Sequence, residues 1–410
     1  MNMNKVGRRC IGGLSIIGAA VWIFAAKAKA QTAEETAALA PANINFSFRL
    51  LNELVREEPG KNVFISPFSA SVALQMAWNG ARGQTKTEME RALGMAGLSA
   101  EVVNRANQQL LQDIGRETNV ILTTANALWY RKGIPVRPEF IACNQQFYKA
   151  VVDGLDFNDP KSVGIINGWV AEQTHGRIDK MIAGPLDPMT DLFLANAVYF
   201  KGKWSEPFDA KDTKDRAFHM RGGGEKQTPM MSQSRKFLYR KGSGYQAVRL
   251  AYQGWNLWMY VFLPDSGSTP EKLLTVLNGD KWRRVTRPGF EDRQGTLVLP
   301  KFKLDHEAEL TNALSALGMK TAFDQDKADF AGMANKQLYI SSVLQKAFVE
   351  VKEEGTEAAA VTVIAPVAMG IEMNPPTPFE MIVDRPFLFL IEDQTTQAIL
   401  FMGIVQEPKI

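Results

Sequence analysis

The sequence has little cysteine and little histidine, and this narrows the chemistry it can carry. Its 410 residues include two cysteines, Cys10 and Cys143, and three histidines that lie far apart along the chain. No histidine stands at metal-ligand spacing from a cysteine, so we expect no zinc site. The chain also lacks a G-x-S-x-G elbow, an S-x-x-K pair and a Walker loop. We therefore expect no metal, no cofactor and no enzyme activity, although a Ser-His-Asp site formed only in space stays open.

The first thirty residues have the pattern of an export signal. Lys5, Arg8 and Arg9 precede an apolar or small run over residues 10–26, and Ala28-Lys29-Ala30 has the A-x-A form of a cleavage site. The pattern predicts a signal peptide over residues 1–30 and a secreted protein, extracellular or periplasmic. Retention of this segment as a single membrane anchor is the alternative.

Once this segment is set aside, the chain also lacks a clear excess of basic or acidic residues. The 47 basic residues include five in the first thirty, which contain no acidic residue, so the rest carries 42 basic and 44 acidic residues. This balance gives no case for nucleic-acid binding. The small cluster of Arg283, Arg284 and Arg287 is interpreted as a solvated face. After cleavage Cys143 is the one cysteine left, which excludes an internal disulfide and suggests a buried small hydrophobe.

The pattern along the chain predicts an α+β fold. Helical spacing covers residues 44–56, 69–79, 84–93 and 101–116, with further helices at 162–174 and 307–317. Strand patterns dominate later, at residues 120–130, 192–200, 246–263, 296–304, 338–352, 381–391 and 398–405. No low-complexity linker divides residues 42–410. Helices first and strands later favour an α+β arrangement over regular βαβ winding.

One segment has two credible structural environments. Residues 349–364 (VEVKEEGTEAAAVTVI) begin as an alternating strand, break at Gly355 and resume as small residues without a helical stripe. Thr356, Ala358, Ala360, Thr362 and Ile364 would share one face of a strand, and none is charged. Such a segment can lie exposed in a loop or enter a sheet between two existing strands.

Several blocks in order resemble the serpin superfamily. They are residues 62–69 (NVFISPFS), 124–129 (TANALW), 166–170 (INGWV) with 174–178 (THGRI), 196–204 (NAVYFKGKW), 299–302 (LPKF) and 384–389 (DRPFLF). The resemblance implies one domain over residues 43–410, preceded by a flexible segment at 31–42. It further implies three β-sheets, eight or nine helices and an exposed reactive-centre loop at about 353–380.

The resemblance also implies a function. A serpin presents its loop to a target protease as bait, and the cleaved loop enters the central sheet as a new strand while the covalent acyl complex persists. The hinge of that loop would comprise Glu353, Gly355, Thr356, Glu357, Ala358, Ala359 and Ala360. The expected partner is a protease bound by a monomer, with no nucleic acid and no membrane after signal cleavage. A non-inhibitory carrier or chaperone, and a hydrolase, are the competing interpretations.

Counting seventeen residues from Glu353 places the reactive bond at Met369–Gly370, with Ala368, Ile371 and Met373 as near alternatives. Residues 358–380 contain no lysine or arginine, so a trypsin-like enzyme has no cation to bind. Methionine favours chymotrypsin-like, elastase-like or subtilisin-like serine proteases, and a papain-like cysteine protease stays open. The signal and the lack of disulfides are consistent with a bacterial source.

The remaining matched positions are structural. By resemblance, Ser66, Ser69, Asn167 and Asn196 lie beneath the opening of the central sheet. The family usually has a histidine opposite Asn196, and this chain has Gln345, whose looser side chain predicts easier conversion to a latent form. Glu353 and Lys301 match an ion pair near the top of the sheet, where Trp204 also packs.

Overall fold

The computed structural model describes residues 13–115, 120–187, 189–356 and 377–410. Its α-helices are Gly13–Glu57 (α1), Pro67–Trp78 (α2), Gly83–Leu93 (α3), Ala100–Ile114 (α4), Pro138–Tyr148 (α5), Lys161–Gln173 (α6), Pro270–Val276 (α7), Gly279–Lys281 (α8) and Thr311–Ala316 (α9). Shorter helical turns are the π-helix Trp282–Thr286 and the 3₁₀ turns Ala210–Asp212, Arg287–Gly289 and Thr321–Phe323.

Fifteen strands are found within the described ranges. They are Val63–Ile65 (β1), Val120–Arg131 (β2), Val151–Leu155 (β3), Leu192–Lys203 (β4), Lys214–His219 (β5), Glu225–Gly242 (β6), Tyr245–Ala251 (β7), Leu257–Pro264 (β8), Glu291–Pro300 (β9), Phe302–Glu309 (β10), Ile340–Val351 (β11), Gly355–Thr356 (β12), Phe379–Ile382 (β13), Phe387–Asp393 (β14) and Ile399–Val405 (β15). The α+β class predicted from the sequence is confirmed.

The strands form two hydrogen-bonded sheets in the described part of the chain. The smaller sheet has the order β10-β11-β4-β2-β3, with β12 paired to β4, and is called the central sheet below. The larger sheet runs β1-β15-β14-β8-β7-β6-β9-β13, with β5 paired to β6. The resemblance implied three sheets. The 18-residue strand β6 joins what would be two of them, because it pairs with β5 and β9 along one part and with β7 along another.

Strand β4 is buried on both faces, which explains its nearly continuous apolar sequence. Leu194, Val198 and Phe200 face the main core, into which α2 also packs. Phe193 and Tyr199 face a second apolar cluster that includes Ile166 of α6. The central sheet therefore lies between α2 on one face and α6 on the other.

Local sequence signals fix where α2 begins. Ser66 has an extended backbone, and its side chain accepts a hydrogen bond from the Ser69 N–H at 3.4 Å. Pro67 follows at the first helical position, where its missing N–H costs nothing. The motif thus holds Ser66 and Ser69 at the helix start, directly beneath the central sheet.

Residues 31–42 were predicted to be a flexible segment, and their flexibility stays a prediction. They lie within α1, which continues through them from Gly13 to Glu57. Leu39 is fully buried, Ala42 is nearly so, and the buried Glu35 carboxylate lies 3.6 Å from Arg105 of α4. Packing of these side chains stabilises a helix that the local composition alone did not indicate. No helix within the described ranges has both the length and the hydropathy needed to cross a bilayer.

Two sequence expectations were wrong. Residues 307–317 were predicted to be helical throughout, but the chain forms β10 up to Glu309 and then the short helix α9. Alternating Glu307, Ala308 and Glu309 fit the outer strand of the sheet. Cys143 was expected to be buried, but on α5 it is only partly buried, and this burial raises the pKa of its thiol.

Candidate functional site

The central sheet is closed along most of the boundary between β4 and β11. These strands are parallel neighbours in a register that pairs Leu344 with Ala195, Gln345 with Asn196 and Phe348 with Tyr199. Beyond that point β12 takes the place beside β4, pairing Gly355 with Lys203 in the antiparallel sense. The described chain therefore has a closed strand boundary with a short antiparallel strand already seated at one end.

Side chains from four elements join beneath the middle of this boundary. We call the group Ser66, Ser69, Asn126, Asn196 and Gln345 the sheet-opening cluster. The Asn196 amide nitrogen donates to the Ser69 hydroxyl and to Asn126 Oδ1 at 2.7 Å, while the Gln345 amide donates to Asn196 Oδ1. Asn196 and Gln345 are each 1% exposed. The cluster links β2, β4 and β11 to the start of α2.

Gln345 is firmly held. Its Oε1 accepts from the Ser66 backbone N–H at 2.8 Å, and its Nε2 donates to the Ser66 carbonyl oxygen at 2.9 Å as well as to Asn196. The longer side chain reaches both backbone groups of Ser66, which gives glutamine three partners here. The looseness expected of glutamine at this position is not seen in its contacts, and the predicted tendency toward a latent form stays a prediction.

Asn167 is not part of the sheet-opening cluster. It lies on α6, across the sheet from α2, where its Oδ1 accepts from the N–H groups of Met181 and Ile182 at 2.7 and 3.0 Å. Its Nδ2 donates to the Ile182 carbonyl at 3.0 Å. The structure thus separates Asn167 from Ser66, Ser69 and Asn196, because α6 covers the opposite face of the sheet.

A second group of residues anchors the far end of β11. The Lys301 ammonium lies 2.9 Å from Glu353 Oε2 and 3.1 Å from Oε1, and the Thr213 hydroxyl donates to Glu353 Oε1 at 2.9 Å. The Trp204 indole N–H donates to the Lys352 carbonyl at 3.0 Å. The side chains of Glu353 and Lys301 are 8% and 24% exposed, so this pair is shielded rather than superficial.

Burial alone would raise the pKa of the Glu353 carboxyl. Hydrogen bonds from Lys301, from its own backbone and from Thr213, together with the Lys301 charge, outweigh burial and bring the pKa below its usual value. The carboxylate is therefore charged at neutral pH and fixes the turn from which β12 starts.

Only the first residues of the predicted hinge fall within the described ranges. Gly355 has φ of +137°, and a Cβ added to it would lie 2.2 Å from the Gly202 carbonyl oxygen, so glycine is required here. Thr356 is fully buried. The other hinge residues, Glu357, Ala358, Ala359 and Ala360, and the predicted bond Met369–Gly370 lie outside the described residues.

Two polar contributors were missed in the sequence. Asn126 lies in the middle of the apolar block TANALW, and an isolated amide in a buried strand is a signal that a partner must exist. Thr213 gave no such signal, because its role depends on a turn that brings it to Glu353. Within the described ranges, no group of three histidine, cysteine or acidic side chains is arranged to hold a metal ion.

This arrangement leaves a place where a strand could be added between β4 and β11. Two parallel strands are bridged by amide and hydroxyl groups that can exchange partners, and an antiparallel strand has begun between them. A strand inserted there would find backbone partners on both sides.

Comparison with known proteins agrees with this geometry. The family model for the serpin (serine protease inhibitor) family matches residues 41–408. Leukocyte elastase inhibitor of Bos taurus is 38% identical over 385 residues, covering 90% of this chain and 99% of that protein. The chain belongs to the serpin family, which confirms the resemblance seen in the sequence.

Two solved structures show the same fold. The native state of the thermophilic serpin tengpin superposes with a TM-score of 0.82 at 30% identity, covering 90% of this chain and 94% of tengpin. Human thyroxine-binding globulin, solved in complex with thyroxine, superposes with a TM-score of 0.83 at 27% identity, covering 92% and 100% of the two chains. The similar proteins therefore include one named as an elastase inhibitor and one named for binding thyroxine.

Proposed function

We propose that this protein is an exported, non-enzymatic inhibitor of serine endopeptidases that acts as a suicide substrate. The protease would attack Met369–Gly370 and form an acyl-enzyme, and the freed loop would enter the central sheet between β4 and β11. The observation that carries the proposal is the antiparallel pairing of Gly355 and Thr356 with β4, directly in line with the closed boundary.

The register of β12 predicts where the loop would go. Gly355 pairs with Lys203 and Thr356 with Gly202, so each further residue of an antiparallel strand would move back one residue along β4. Thr362 would then lie opposite Asn196. Lys352 bridges Gly355 on the other side, and the same count places Thr362 opposite Gln345. The two counts agree because Gln345 and Asn196 are themselves paired.

This register matches the character of the loop sequence. Ala358 would lie between Phe200 and Val349 and Ala360 between Val198 and Ala347, all of which face the main core. Small side chains are what such a site can accept. Thr362 would bring a hydroxyl to the sheet-opening cluster, where it could replace the hydrogen bond between Gln345 and Asn196.

The one charged residue between Thr356 and Gly370 would avoid the core. Glu357 would lie opposite Lys201 of β4, on the opposite face of the strand from Thr356. Its carboxylate would meet a cation of opposite sign there instead of an apolar environment. Alternation thus separates the single charge of the segment from the residues that must be buried.

The energy released would be large enough to trap a protease. Insertion of residues 356–369 would add a strand of about fourteen residues at roughly 3.3 Å per residue. At about 1 kcal/mol net for each new hydrogen bond, with apolar burial added, the gain is on the order of 10 kcal/mol. That equals the stability of a whole domain, so insertion could distort the attached protease before deacylation.

The residues that precede the predicted reactive bond indicate which class of protease the chain would inhibit. Methionine before the bond, preceded by Pro366, Val367 and Ala368, suits an apolar pocket of chymotrypsin-like, elastase-like or subtilisin-like enzymes. The relationship to an elastase inhibitor supports this class. The leader sequence supports action outside the cell, extracellular or periplasmic, on proteases met there, and the protein would act as a monomer.

The test is a covalent complex. The chain from Gln31 to Ile410 is incubated with chymotrypsin, elastase, subtilisin, trypsin and papain, and the products are separated on a denaturing gel. The proposal expects a band at the summed mass with one or more of the first three and none with trypsin. A complex with papain alone would shift the target class, and clean cleavage by every enzyme would refute inhibition.

A non-inhibitory carrier is the second candidate, because thyroxine-binding globulin shares the fold at a TM-score of 0.83. A carrier would be cut in its loop without forming a complex. Its melting temperature need not rise after cleavage, whereas loop insertion into the sheet should raise it well above that of the intact protein. Melting curves before and after cleavage therefore separate the two functions.

A further inference from the structure

A buried tyrosine stands directly behind the start of the hinge. Tyr252 follows β7, is fully buried, and stacks on Trp204 with ring centroids 4.5 Å apart. Phe200 contacts the same ring edge to face at 5.0 Å. The Tyr252 hydroxyl lies 3.1 Å from the Thr356 hydroxyl. Rings on two sides thus hold the phenol in place, and its polar end points at the hinge.

Two glycines make this approach possible. A Cβ on Gly202 would lie 2.8 Å from the Tyr252 ring, and a Cβ on Gly355 would lie 2.2 Å from the Gly202 carbonyl oxygen. Larger residues would push the ring or the hinge away from β4. The close fit of Gly202, Gly355 and Tyr252 gives Thr356 a defined position in the resting protein.

The backbone of the preceding turn is docked as well. The Trp204 N–H donates to the Glu354 carbonyl at 2.9 Å, and the Phe208 N–H donates to the Glu353 carbonyl at 2.9 Å. Within the turn, the Lys352 N–H donates to the Gly355 carbonyl at 2.8 Å. The reversal of chain direction that any inserted strand needs is therefore already formed.

We propose that Tyr252 is a positioning residue that docks Thr356 in the resting protein, so that loop insertion starts from a turn already closed and two residues already paired. This inference rests on the proposed function. Closing a turn costs entropy before cross-strand contacts repay it. Because the hinge is docked in the resting protein, this entropy loss has already occurred before cleavage. Insertion can then be faster than deacylation of the protease.

The test is a double-mutant cycle on two shape-conserving changes, Tyr252→Phe and Thr356→Val. Hydrogen exchange over residues 352–356, measured without protease, reports docking. The stoichiometry of inhibition, measured with the protease that forms a complex, reports insertion. Each single change should speed hinge exchange roughly two- to tenfold, the worth of one hydrogen bond, and should raise the stoichiometry.

Because both changes remove the same bond, the double variant should behave like either single one, and Thr356→Ser should retain wild-type exchange. Tyr148→Phe is the matched control. It removes another fully buried hydroxyl, which belongs to α5 and bonds to Asn104 Oδ1 of α4 at 2.6 Å, and it should leave hinge exchange unchanged.

Additive effects of the two changes, or hinge exchange in Tyr252→Phe equal to wild type, would overturn the positioning role. If Tyr252 were purely structural, its replacement would lower the melting temperature, as is expected of Tyr148→Phe, without changing hinge exchange. If the wild-type protein forms no complex with any protease, the proposed function and the insertion step fail together. The exchange cycle still decides whether Tyr252 docks Thr356, since no protease takes part in it.

Discussion

Replacement of Gln345 by leucine tests the sheet-opening cluster most directly. Leucine has nearly the volume of glutamine but can neither donate nor accept a hydrogen bond. In the wild-type protein, Gln345 is the partner of the Ser66 backbone N–H and of Asn196 Oδ1. The Ser66 carbonyl keeps a second partner, the Ala70 N–H at 3.0 Å. Gln345→Leu would therefore leave two buried polar groups without a partner.

The expected cost follows from that count. A buried donor or acceptor left unsatisfied costs about 1–3 kcal/mol, so two of them cost about 2–6 kcal/mol. Apolar burial of the leucine offsets part of this, leaving a destabilisation on the order of 3 kcal/mol. Since about 1.4 kcal/mol is a tenfold change in an equilibrium, the population with β4 and β11 separated should rise about a hundredfold.

Two measurements report the change. Urea unfolding followed by tryptophan fluorescence should show the lower stability of the resting form, and hydrogen exchange in β4 and β11 should accelerate. Gln253→Leu, at an exposed turn position, is the matched control and should change stability by less than about 0.5 kcal/mol. If Gln345→Leu unfolds and exchanges like the control, the sheet-opening cluster does not hold the boundary closed.

Two further changes test other parts of the site, and a third tests the packing between β9 and β13. Thr356→Arg would place a cation at a fully buried position, so it should turn the inhibitor into a substrate that proteases cut without forming a complex on a denaturing gel. Glu353→Gln should weaken the turn at neutral pH. Because the pKa of Glu353 is below its usual 4.5, the stabilisation is present above about pH 4.5 and disappears as pH falls through the folded pKa, as urea unfolding across pH should show. Gly295→Ala would place a Cβ 2.3 Å from the Phe379 ring, which stacks on Tyr239 at 3.9 Å, and overpacking should lower stability by about 1–3 kcal/mol in thermal unfolding.

For each of these three predictions, one result would contradict the reasoning. Complex formation by Thr356→Arg near one inhibitor per protease would exclude burial of that position during insertion, and Thr377→Arg, exposed beyond the predicted bond, should inhibit normally. A stability difference between Glu353→Gln and wild type that stays constant from pH 6 to pH 3.5 would exclude the charged pair as its cause. Equal unfolding of Gly295→Ala and Gly168→Ala, where nothing lies within 4 Å, would contradict a close fit at Phe379.

Much of the fold could be predicted from the sequence because helix starts and buried strands depend on residues that are close together in the chain. Ser66 and Pro67 mark the start of α2, and the apolar run of β4 indicates a strand buried on both faces. The hinge was also visible, since Gly355 followed by mostly small residues departs from the alternation before it. Helix over residues 31–42 was missed because Leu39 is buried only by tertiary packing.

Placement of the polar site residues was harder to predict. Family resemblance set Asn167 beside Ser66 and Asn196, and the structure puts it on the other face of the sheet with Met181 and Ile182. Asn126, which does join the sheet-opening cluster, passed unnoticed. Contacts between residues 70 or more positions apart depend on which strands become neighbours, and residue patterns do not encode that directly.

By itself the sequence determined the α+β class, the family and the existence of a segment suited to two environments, because composition, alternation and ordered motifs are properties of the chain. Only the tertiary structure decided how that segment begins. Pairing of Thr356 with Gly202, the three bonds of Gln345 and the Tyr252 hydroxyl behind the hinge arise from distant residues meeting in one closed sheet. Hydrogen bonds need partners within about 3 Å, and folding of the whole chain is what supplies them.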